Sequence, residues 1–349
     1  MSKKIIYINA RFLTQPITGV QRFAIEISKQ LKEILGDELQ LVSPKNILDI
    51  NLATELGVKI IGRKKGHVWE QIDLPNYLNK NNSPLLLNFC NTAPLFYKNK
   101  ISTVHDIAFI KYPESYSFLF KLIYKNIIPR LLSVSKHVLT VSEFSKKEIC
   151  DYYNIESNKI SVVYNAVSKK IKNKEEKREK FILALSSLNL QKNFHGMLKA
   201  FEMVGCIETK LLIVGGNSKS FSNVNLIGRN KNVKFLGRIT DDELVDLYNK
   251  AKLFVFPSFY EGFGIPPLEA QSCGCPCLVS NQASLPEVYG ESVVYFNPYD
   301  ISEMSSKIRL ALNDEKLLEE LKFKGLKNSK KYDWEVSAQK ILKILEIGK

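Results

Sequence analysis

The chain has 349 residues, 45% hydrophobic and 25% charged, which is typical of a globular protein with two domains. No stretch approaches the roughly 20 consecutive apolar residues of a membrane-spanning helix. Because Met1–Ile5 runs directly into a strand-like segment without a signal-like apolar leader, we expect a cytoplasmic protein. The net charge of +14 suits nucleic acid, an anionic membrane surface or phosphate-bearing substrates. Since no nucleic-acid-binding motif is present, we expect no nucleic acid partner.

The N-terminal half alternates short apolar runs with amphipathic stretches. Predicted strands are Lys4–Asn9, Leu39–Ser43, Val58–Ile61, Pro84–Phe89, Ile101–His105, His137–Val141 and Ile160–Tyr164. Helices are predicted at Val20–Leu35, Ser117–Ser135 and Ser142–Tyr153. Continuous apolar runs are typical of parallel strands that are buried on both faces, so the pattern indicates a doubly wound sheet.

The same alternation restarts after Ser168–Lys180, a charge-dense segment that we interpret as a linker or an exposed surface segment. Predicted strands follow at Phe181–Leu185, Thr209–Val214, Val233–Leu236, Leu253–Pro257, Pro276–Ser280 and Ser292–Phe296. Predicted helices are Phe194–Val204, Asp241–Ala251, Pro267–Cys273, Ile301–Asn313, Leu317–Lys331 and Trp334–Ile347. The sequence therefore predicts an α/β protein with two Rossmann-like doubly wound domains that face each other across a cleft, which holds the active site.

Six cysteines are present, and three of them form the C-x-C-x-C run Cys273–Cys277. Without a leader, reduced thiols are expected. The spacing differs from C-x-x-C and no second cluster supplies a fourth ligand, so we expect small buried residues near a strand start and no metal.

The most informative segment is Pro257–Ala270, which follows an apolar strand and opens a helix. Gly262 and Gly264 remove side chains from the approach path of a ligand. Pro266 or Pro267 suits the first helical turn. The helix N-terminus offers N–H groups and the positive end of the dipole, so the segment indicates a phosphate site.

Two carboxylates accompany this loop, Glu261 before the helix and Glu269 within it, and both are placed to accept hydrogen bonds from sugar hydroxyls. The alternative is an ordinary Gly-rich turn with a Glu that complements the helix dipole. The run E-G-F-G-I-P-P-L-E-A resembles the E-x7-E signature of retaining GT-B glycosyltransferases of family 4, without a mismatch. Further resembling segments are Gly19–Phe23, His67–Gln71, Leu74-Pro75, Asn91–Pro94, Val104–Asp106, Val141–Ser145 and Lys192-Asn193.

The resemblance implies specific roles on the nucleotide-binding side. Glu269 would bind the ribose hydroxyls and Glu261 the donor sugar. The backbone around Gly262, that is Phe263, Gly264 and Ile265, would contact sugar and diphosphate. Lys192 would neutralise the diphosphate leaving group, which is chemically reasonable because charge develops there; the alternative is a surface lysine.

Two departures from the family pattern concern the residues before this lysine. Many relatives carry an Arg near it, whereas here Ser186–Gln191 precede it, so a second cation would come from Arg238 or Arg11. The glycine that relatives often carry near Ser186 is also absent.

The first half contributes a second group of candidates. The loop Thr14–Val20 lacks the G-x-G-x-x-G fingerprint, so NAD binding is not expected. In the resembling family this loop borders the donor diphosphate, and Gly19 is the candidate for close backbone approach or an ordinary loop glycine. His105 and Asp106 end an apolar strand at the ligand-binding edge. The resemblance implies that His105 contacts the donor sugar and that Asp106 orients it or lines the acceptor site.

The remaining histidines (His67, His137 and His195) lack such placement and are interpreted as structural or surface residues. The segment Tyr116–Lys136 interleaves apolar and basic residues. It fits either a helix on an anionic membrane or a core-facing helix with a solvated basic side.

Together with the resemblance, the sequence predicts a retaining hexosyltransferase without a cofactor or metal. Its partners would be a nucleotide-sugar donor, with GDP-mannose favoured over UDP- or dTDP-sugars, and a polyprenyl-diphosphate-linked glycan of an O-antigen or capsule. Peripheral contact with the anionic inner membrane is the accompanying expectation. The predicted domains are 1–170 and 171–331, with 332–349 as a helix that packs back toward the first. The alternatives are a nucleotide-sugar epimerase of the same fold and a non-catalytic sugar-nucleotide-binding scaffold.

Overall fold

The computed structural model describes residues 5–185, 189–205, 208–216 and 230–347. The chain forms two compact units. Unit 1 comprises Met1–Ile110, Tyr116–Asn165 and Trp334–Lys349, and unit 2 comprises Lys111–Ser115 and Ala166–Asp333. Within the described ranges, no helix is long and apolar enough to cross a membrane.

Unit 1 is built on a sheet of seven strands in the order β3-β2-β1-β4-β5-β6-β7, with parallel pairing between neighbours. The strands are β1 (Ile6–Asn9), β2 (Leu39–Ser43), β3 (Lys59–Ile60), β4 (Leu86–Asn88), β5 (Lys100–Thr103), β6 (His137–Thr140) and β7 (Ile160–Val162). The strand order reverses between β1 and β4, and such a switch point is where doubly wound sheets bind ligands.

The helices of unit 1 lie between these parallel strands in sequence, except for the last one, which comes from the C-terminus. They are α1 (Gly19–Leu35), α2 (Ile50–Glu55), α3 (Gly66–Val68), α4 (Leu74–Lys80), α5 (Ala108–Lys111, whose last residue belongs to unit 2), α6 (Phe118–Val134), α7 (Glu143–Tyr153) and, from the C-terminus, α14 (Trp334–Ile347). A π-helical turn, Trp69–Asp73, joins α3 to α4. The terminal helix packs on α1, where the Phe23 and Trp334 rings meet edge to face at 5.9 Å.

Unit 2 has six parallel strands in the order β10-β9-β8-β11-β12-β13. The strands are β8 (Glu179–Leu185), β9 (Lys210–Val214), β10 (Val233–Gly237), β11 (Ala251–Phe256), β12 (Cys277–Ser280) and β13 (Val294–Phe296). The helices are α8 (Phe194–Val204), α9 (Asp241–Lys250), α10 (Ile265–Ser272), α11 (Leu285–Tyr289), α12 (Ile301–Asn313) and α13 (Glu315–Ser329). Its switch point lies between β8 and β11.

The predicted strands and long helices all form, with ends that differ by a few residues. Ser117, predicted as the start of a helix, caps α6 by accepting a hydrogen bond from Phe120 N–H at 3.3 Å. The predicted linker extends too far, because Glu179 and Lys180 already belong to β8. Arg178 just before them donates to the Cys273 carbonyl at 2.8 Å, so this charged stretch is anchored to unit 2.

The cysteine run is buried, as expected of small residues near a strand start. Cys273, Cys275 and Cys277 are all fully buried beside β12. Burial raises the pKa of the Cys273 and Cys275 thiols to about 12, so both stay protonated at neutral pH. In the part of the chain that the structure describes, no cluster of potential metal ligands is found. Cys206 lies outside the described residues.

Candidate active site

The two loops that flank the switch point of unit 2 are tied together. A 3₁₀ turn, Leu190–Lys192, follows β8, and the loop that contains Glu261 follows β11. The Phe259 N–H donates to the Gln191 carbonyl at 2.8 Å. The Lys192 Nζ lies 2.6 Å from Glu261 Oε1. The structure therefore joins two predicted site residues that are 69 positions apart in sequence. Ser186, Ser187 and Leu188 lie outside the described residues.

The Lys192–Glu261 ion pair is partly shielded from water. The two side chains are 25% and 12% exposed, and the ammonium lies 5.8 Å from the centre of the Phe256 ring. Ser284 Oγ donates to the Glu261 carbonyl at 2.8 Å, which fixes the backbone of this loop. An anionic ligand at this position would meet a cation whose charge is screened less than at an open surface.

Gly264 directly precedes helix α10, as its N-cap, in a conformation that favours glycine. Its φ is +82°, and a Cβ here would lie 2.6 Å from Leu285 Cδ2. The Tyr289 hydroxyl donates to the Gly264 carbonyl. Both the backbone conformation and the close packing therefore explain the second glycine of the motif.

The start of α10 presents few N–H donors. Ile265 is the first helical residue, and Pro266 and Pro267 occupy the first turn as predicted. Proline has no N–H, so the donors that this helix start can offer an anion are those of Gly264 and Ile265. The other two residues predicted to contact the donor through their backbone, Gly262 and Phe263, are buried in the same loop.

Glu269 lies inside α10 and is 6% exposed. The Tyr248 hydroxyl donates to Glu269 Oε2 at 3.2 Å. Burial raises the pKa of Tyr248 well above its usual range and the neighbouring carboxylate adds to this effect, so the hydroxyl stays a donor. Tyr248 positions the second carboxylate of the motif, and sequence analysis missed it because it appeared only as one apolar position of helix α9.

Arg238 follows β10, which is separated from β8 by β9, and its side chain is exposed. It lies two strands from the switch point.

In unit 1, three hydrogen bonds fix His105 just beyond the end of β5. Its N–H donates to Asn91 Oδ1 at 2.8 Å, its carbonyl accepts from Thr140 Oγ1 at 3.2 Å, and its Nε2 lies 2.9 Å from the Phe89 carbonyl. Burial lowers the pKa of His105 to about 4, although the Phe89 carbonyl opposes the shift. The ring is therefore neutral at pH 7. Because a carbonyl only accepts, Nε2 carries the proton and Nδ1 can accept.

The other predicted residues of unit 1 lie at helix starts. Asp106 Oδ1 accepts from the N–H of Ala108, the first residue of α5, at 2.9 Å. Gly19 is the exposed first residue of α1, and its φ is not positive. The Thr18 N–H before it donates to Gln21 Oε1 at 3.2 Å. The backbone conformation by itself does not require glycine at position 19.

A buried polar network occupies the switch point of unit 1. Asn9, the last residue of β1, donates to Glu70 Oε1 at 2.8 Å and to Asn88 Oδ1, at the end of β4, at 3.1 Å. The Arg11 Nε donates to Glu70 Oε1 at 3.0 Å, and its NH2 group donates to Thr92 Oγ1 at 2.7 Å. Sequence analysis quoted Glu70 only as part of a resembling segment and assigned it no role.

Arg11, considered above as a second cation for the diphosphate, is thus engaged with a carboxylate. Burial raises the pKa of Glu70, but the Arg11 charge and hydrogen bonds from His67 and Asn9 outweigh it and bring the pKa to about 2. His67, interpreted from sequence as structural or surface, has its Nδ1 3.4 Å from Glu70 Oε2.

Family models match most of the chain in two consecutive segments. The model described as "Glycosyltransferase Family 4" matches residues 17–170, and the model described as "Glycosyl transferases group 1" matches residues 167–328. The chain belongs to glycosyltransferase family 4. The family that the E-x7-E motif predicted is thereby confirmed.

Curated relatives and solved structures agree with this family. O-antigen chain mannosyltransferase B of Escherichia coli is 28% identical over 92% of the chain and 93% of its own length. O-antigen chain mannosyltransferase RfbU of Salmonella typhimurium is 34% identical, and the match spans 65% of each protein, just under two thirds of that relative. The structure of Anabaena HepE in complex with UDP and glucose superposes with a TM-score of 0.76 at 16% identity and 99% coverage of both chains.

The structural likeness confirms the predicted fold class, a GT-B protein made of two Rossmann-like parallel-sheet domains. This family 4 glycosyltransferase is a hexosyltransferase, as predicted. Such an enzyme uses a nucleotide-sugar donor and a glycan acceptor.

Proposed function

We propose that the protein transfers mannose, with retention of anomeric configuration, from GDP-mannose to a hydroxyl of a polyprenyl-diphosphate-linked oligosaccharide during O-antigen or capsule synthesis. The names of the two mannosyltransferase relatives support the sugar and the pathway class. The observation that carries the donor site is the Lys192–Glu261 pair at the switch point of unit 2, beside the N-terminus of α10.

Charge separation is the main demand of this reaction, because the departing nucleoside diphosphate gains negative charge. Lys192 supplies a fixed cation for that charge, and the N–H groups of Gly264 and Ile265 supply dipoles. When the donor binds, its diphosphate replaces Glu261 as the ion-pair partner of Lys192, and Glu261 then accepts hydrogen bonds from the donor sugar. The departing phosphate takes the proton of the acceptor hydroxyl in a front-side mechanism, whereas a double displacement would use Glu261 as nucleophile.

The remaining residues bind the donor in this proposal. Glu269, held by Tyr248, accepts hydrogen bonds from the ribose hydroxyls. The neutral His105 accepts a hydrogen bond from a donor sugar hydroxyl through Nδ1. Gly19 and Asp106 also bind the donor in this proposal. Arg238 supplies the second diphosphate cation, which requires its exposed side chain to swing toward the ligand.

A thermal-shift screen against GDP-, UDP-, dTDP- and ADP-sugars tests the donor site. A ligand that binds only the folded protein stabilises it by about 2.7 kcal/mol at 100 times Kd, so GDP-mannose should raise Tm by several degrees. Glu269→Ala should lose this shift. Glu315→Ala, which removes an exposed carboxylate of the same unit, should keep it. If only UDP- or dTDP-sugars raised Tm, the donor assignment would change from GDP-mannose to that nucleotide sugar. If no nucleotide sugar raised Tm, the result would contradict the proposed donor site.

We further propose that unit 1 contacts an anionic membrane through α6, which makes this cytoplasmic enzyme peripheral to the inner face of the membrane. The outward residues Phe118, Leu119 and Leu122 are 77%, 63% and 51% exposed. Lys125 and Arg130 follow them on the exposed side of the helix. The exposed side of α6 is therefore apolar as well as basic. Apolar insertion next to basic residues is typical of interfacial helices.

A further inference from the structure

The buried network of unit 1 places a carboxylate at the ligand-binding edge of the sheet, and the donor-side roles above make no use of it. Asn9 and Asn88 are the last residues of β1 and β4, the strands that flank the switch point. Both belong to the network that holds Glu70, whose side chain is 1% exposed. Glu70 therefore lies where a doubly wound sheet binds its ligand.

His67 connects this buried carboxylate with the surface. Its Nδ1 lies 3.4 Å from Glu70 Oε2, and its side chain is 47% exposed. An ionised carboxylate only accepts hydrogen bonds, so Nδ1 carries the proton of the neutral imidazole. The Nε2 lone pair is then the acceptor on the exposed side of the ring. A carboxylate that orients an imidazole in this way selects one tautomer and one ring direction.

The backbone that carries His67 is held rigidly. The Trp69 side chain is fully buried, and its Nε1–H donates to the Ile61 carbonyl at 2.8 Å. Gln71 donates to the Ala93 carbonyl at 3.0 Å and accepts from the Leu95 N–H at 2.8 Å. An ordinary surface histidine has neither a buried carboxylate partner nor such an anchored segment.

Burying a charge pair such as Glu70 with Arg11 gains little stability compared with apolar residues, because desolvation offsets the attraction. A role in orienting an exposed group explains why the pair occupies this edge. We propose that His67 binds the glycan acceptor by accepting a hydrogen bond from one of its hydroxyls through Nε2, and that Glu70 is the positioning residue. This inference rests on the proposed transferase function and assigns the acceptor side of the reaction.

Kinetics with GDP-mannose and octyl α-D-mannopyranoside as acceptor probe separate this role from donor binding. His67→Ala should raise the acceptor KM at least tenfold and leave both the donor KM and the slow transfer of mannose to water unchanged. His67→Gln, which keeps a hydrogen-bonding side chain, should recover part of the loss. His137→Ala is the control, because His137 lies at the amino end of β6, whereas ligands bind at the carboxyl ends of the strands. Unchanged acceptor KM in His67→Ala, or an equal loss of transfer to water, would overturn the proposal.

A second measurement does not depend on turnover. In the full chain labelled with ¹⁵N-histidine, the His67 ring should show the tautomer with the proton on Nδ1, and Glu70→Gln should abolish this preference. Octyl α-D-mannopyranoside should shift the His67 Nε2 signal in the absence of donor. An unshifted signal, or a proton on Nε2 in the unaltered protein, would overturn the assignment. Failure of the proposed function would appear separately, as the absence of any thermal shift or mannose release with GDP-mannose.

Discussion

Replacing Lys192 with alanine should abolish most of the activity and lower the stability only moderately. The ammonium lies 2.6 Å from Glu261 Oε1, and the two side chains retain 25% and 12% exposure. The pair is partly shielded from water, so removing one partner should cost about 1–3 kcal/mol, between the values for an exposed pair and for a fully buried pair. For a protein of this size we expect Tm to fall by no more than about 10 °C.

The catalytic loss should be larger because the cation acts on charge that appears only in the transition state. Removing one preorganised donor from such a position lowers kcat by roughly 10²–10³, equivalent to about 2.7–4 kcal/mol. Lys192→Ala also leaves Glu261 without a counterion near the incoming phosphate, which adds repulsion and raises the donor KM. The expected result is therefore a fall of at least about 10² in kcat together with weaker donor binding.

The assay is initial-rate mannose transfer from GDP-mannose, with Tm measured on the same preparations. Lys252→Ala provides a matched control, because its Nζ lies the same 2.6 Å from Glu315 Oε1 in the same unit. Lys252 lies near the amino end of β11, away from the carboxyl edge where the site lies. A loss below tenfold in Lys192→Ala, or an equal loss in Lys252→Ala, would refute the assignment of Lys192 to the leaving group.

Three further predictions concern stability and membrane binding. Because the folded pKa of His105 lies at about 4 and its ordinary value is 6.5, the unfolded chain takes up the proton first as the pH falls. In urea unfolding, His105 should therefore lower the free energy of unfolding by about 2 kcal/mol when the pH falls from 7.5 to 5. The variant His105→Asn should not show this contribution. An alanine in a left-handed backbone conformation costs about 1–2 kcal/mol of stability. Gly264→Ala should lower the free energy of unfolding by more than this, because the added Cβ also clashes with its neighbours. Gly205→Ala is the control, because it has the same backbone penalty but open space around the added Cβ. Leu122→Ser should weaken flotation with phosphatidylglycerol vesicles roughly tenfold, and the exposed Ser133→Ala should not.

Each of these predictions has a contradicting result. An equal pH dependence in His105→Asn would show that another group titrates. Equal destabilisation by Gly264→Ala and Gly205→Ala would show that the packing around Gly264 relaxes freely. Flotation that persists unchanged in Leu122→Ser, or that occurs equally with neutral vesicles, would remove α6 as the membrane contact.

Local sequence patterns were sufficient for much of the fold. Runs such as Ile182–Leu185 and Leu253–Phe256 indicated parallel strands because a strand covered on both faces must be apolar throughout. The short helices α2 and α11 escaped prediction because 5 or 6 residues do not complete a recognisable apolar period.

The motif proposed to bind the donor was also visible in the sequence, since its residues are concentrated in one loop. Glu261, Glu269, the two glycines and the proline pair all lie within 14 consecutive residues. Glycine and proline restrict the backbone directly, so their positions carry structural meaning without any knowledge of distant contacts.

Tertiary structure alone decided which distant groups meet. Glu70 is 59 residues from Arg11 and 61 from Asn9, and Tyr248 is 21 residues from Glu269. A carboxylate in an amphipathic segment looks the same in sequence whether it faces water or a buried guanidinium. Strand order brings β1 beside β4 and β8 beside β11, and only this pairing determines which loop ends converge at the two switch points. The sequence thus determined the helices, the strands and the motif around Glu261 and Glu269. Long-range strand pairing decided the partners of the buried charges, because those partners are spatial neighbours that no local pattern encodes.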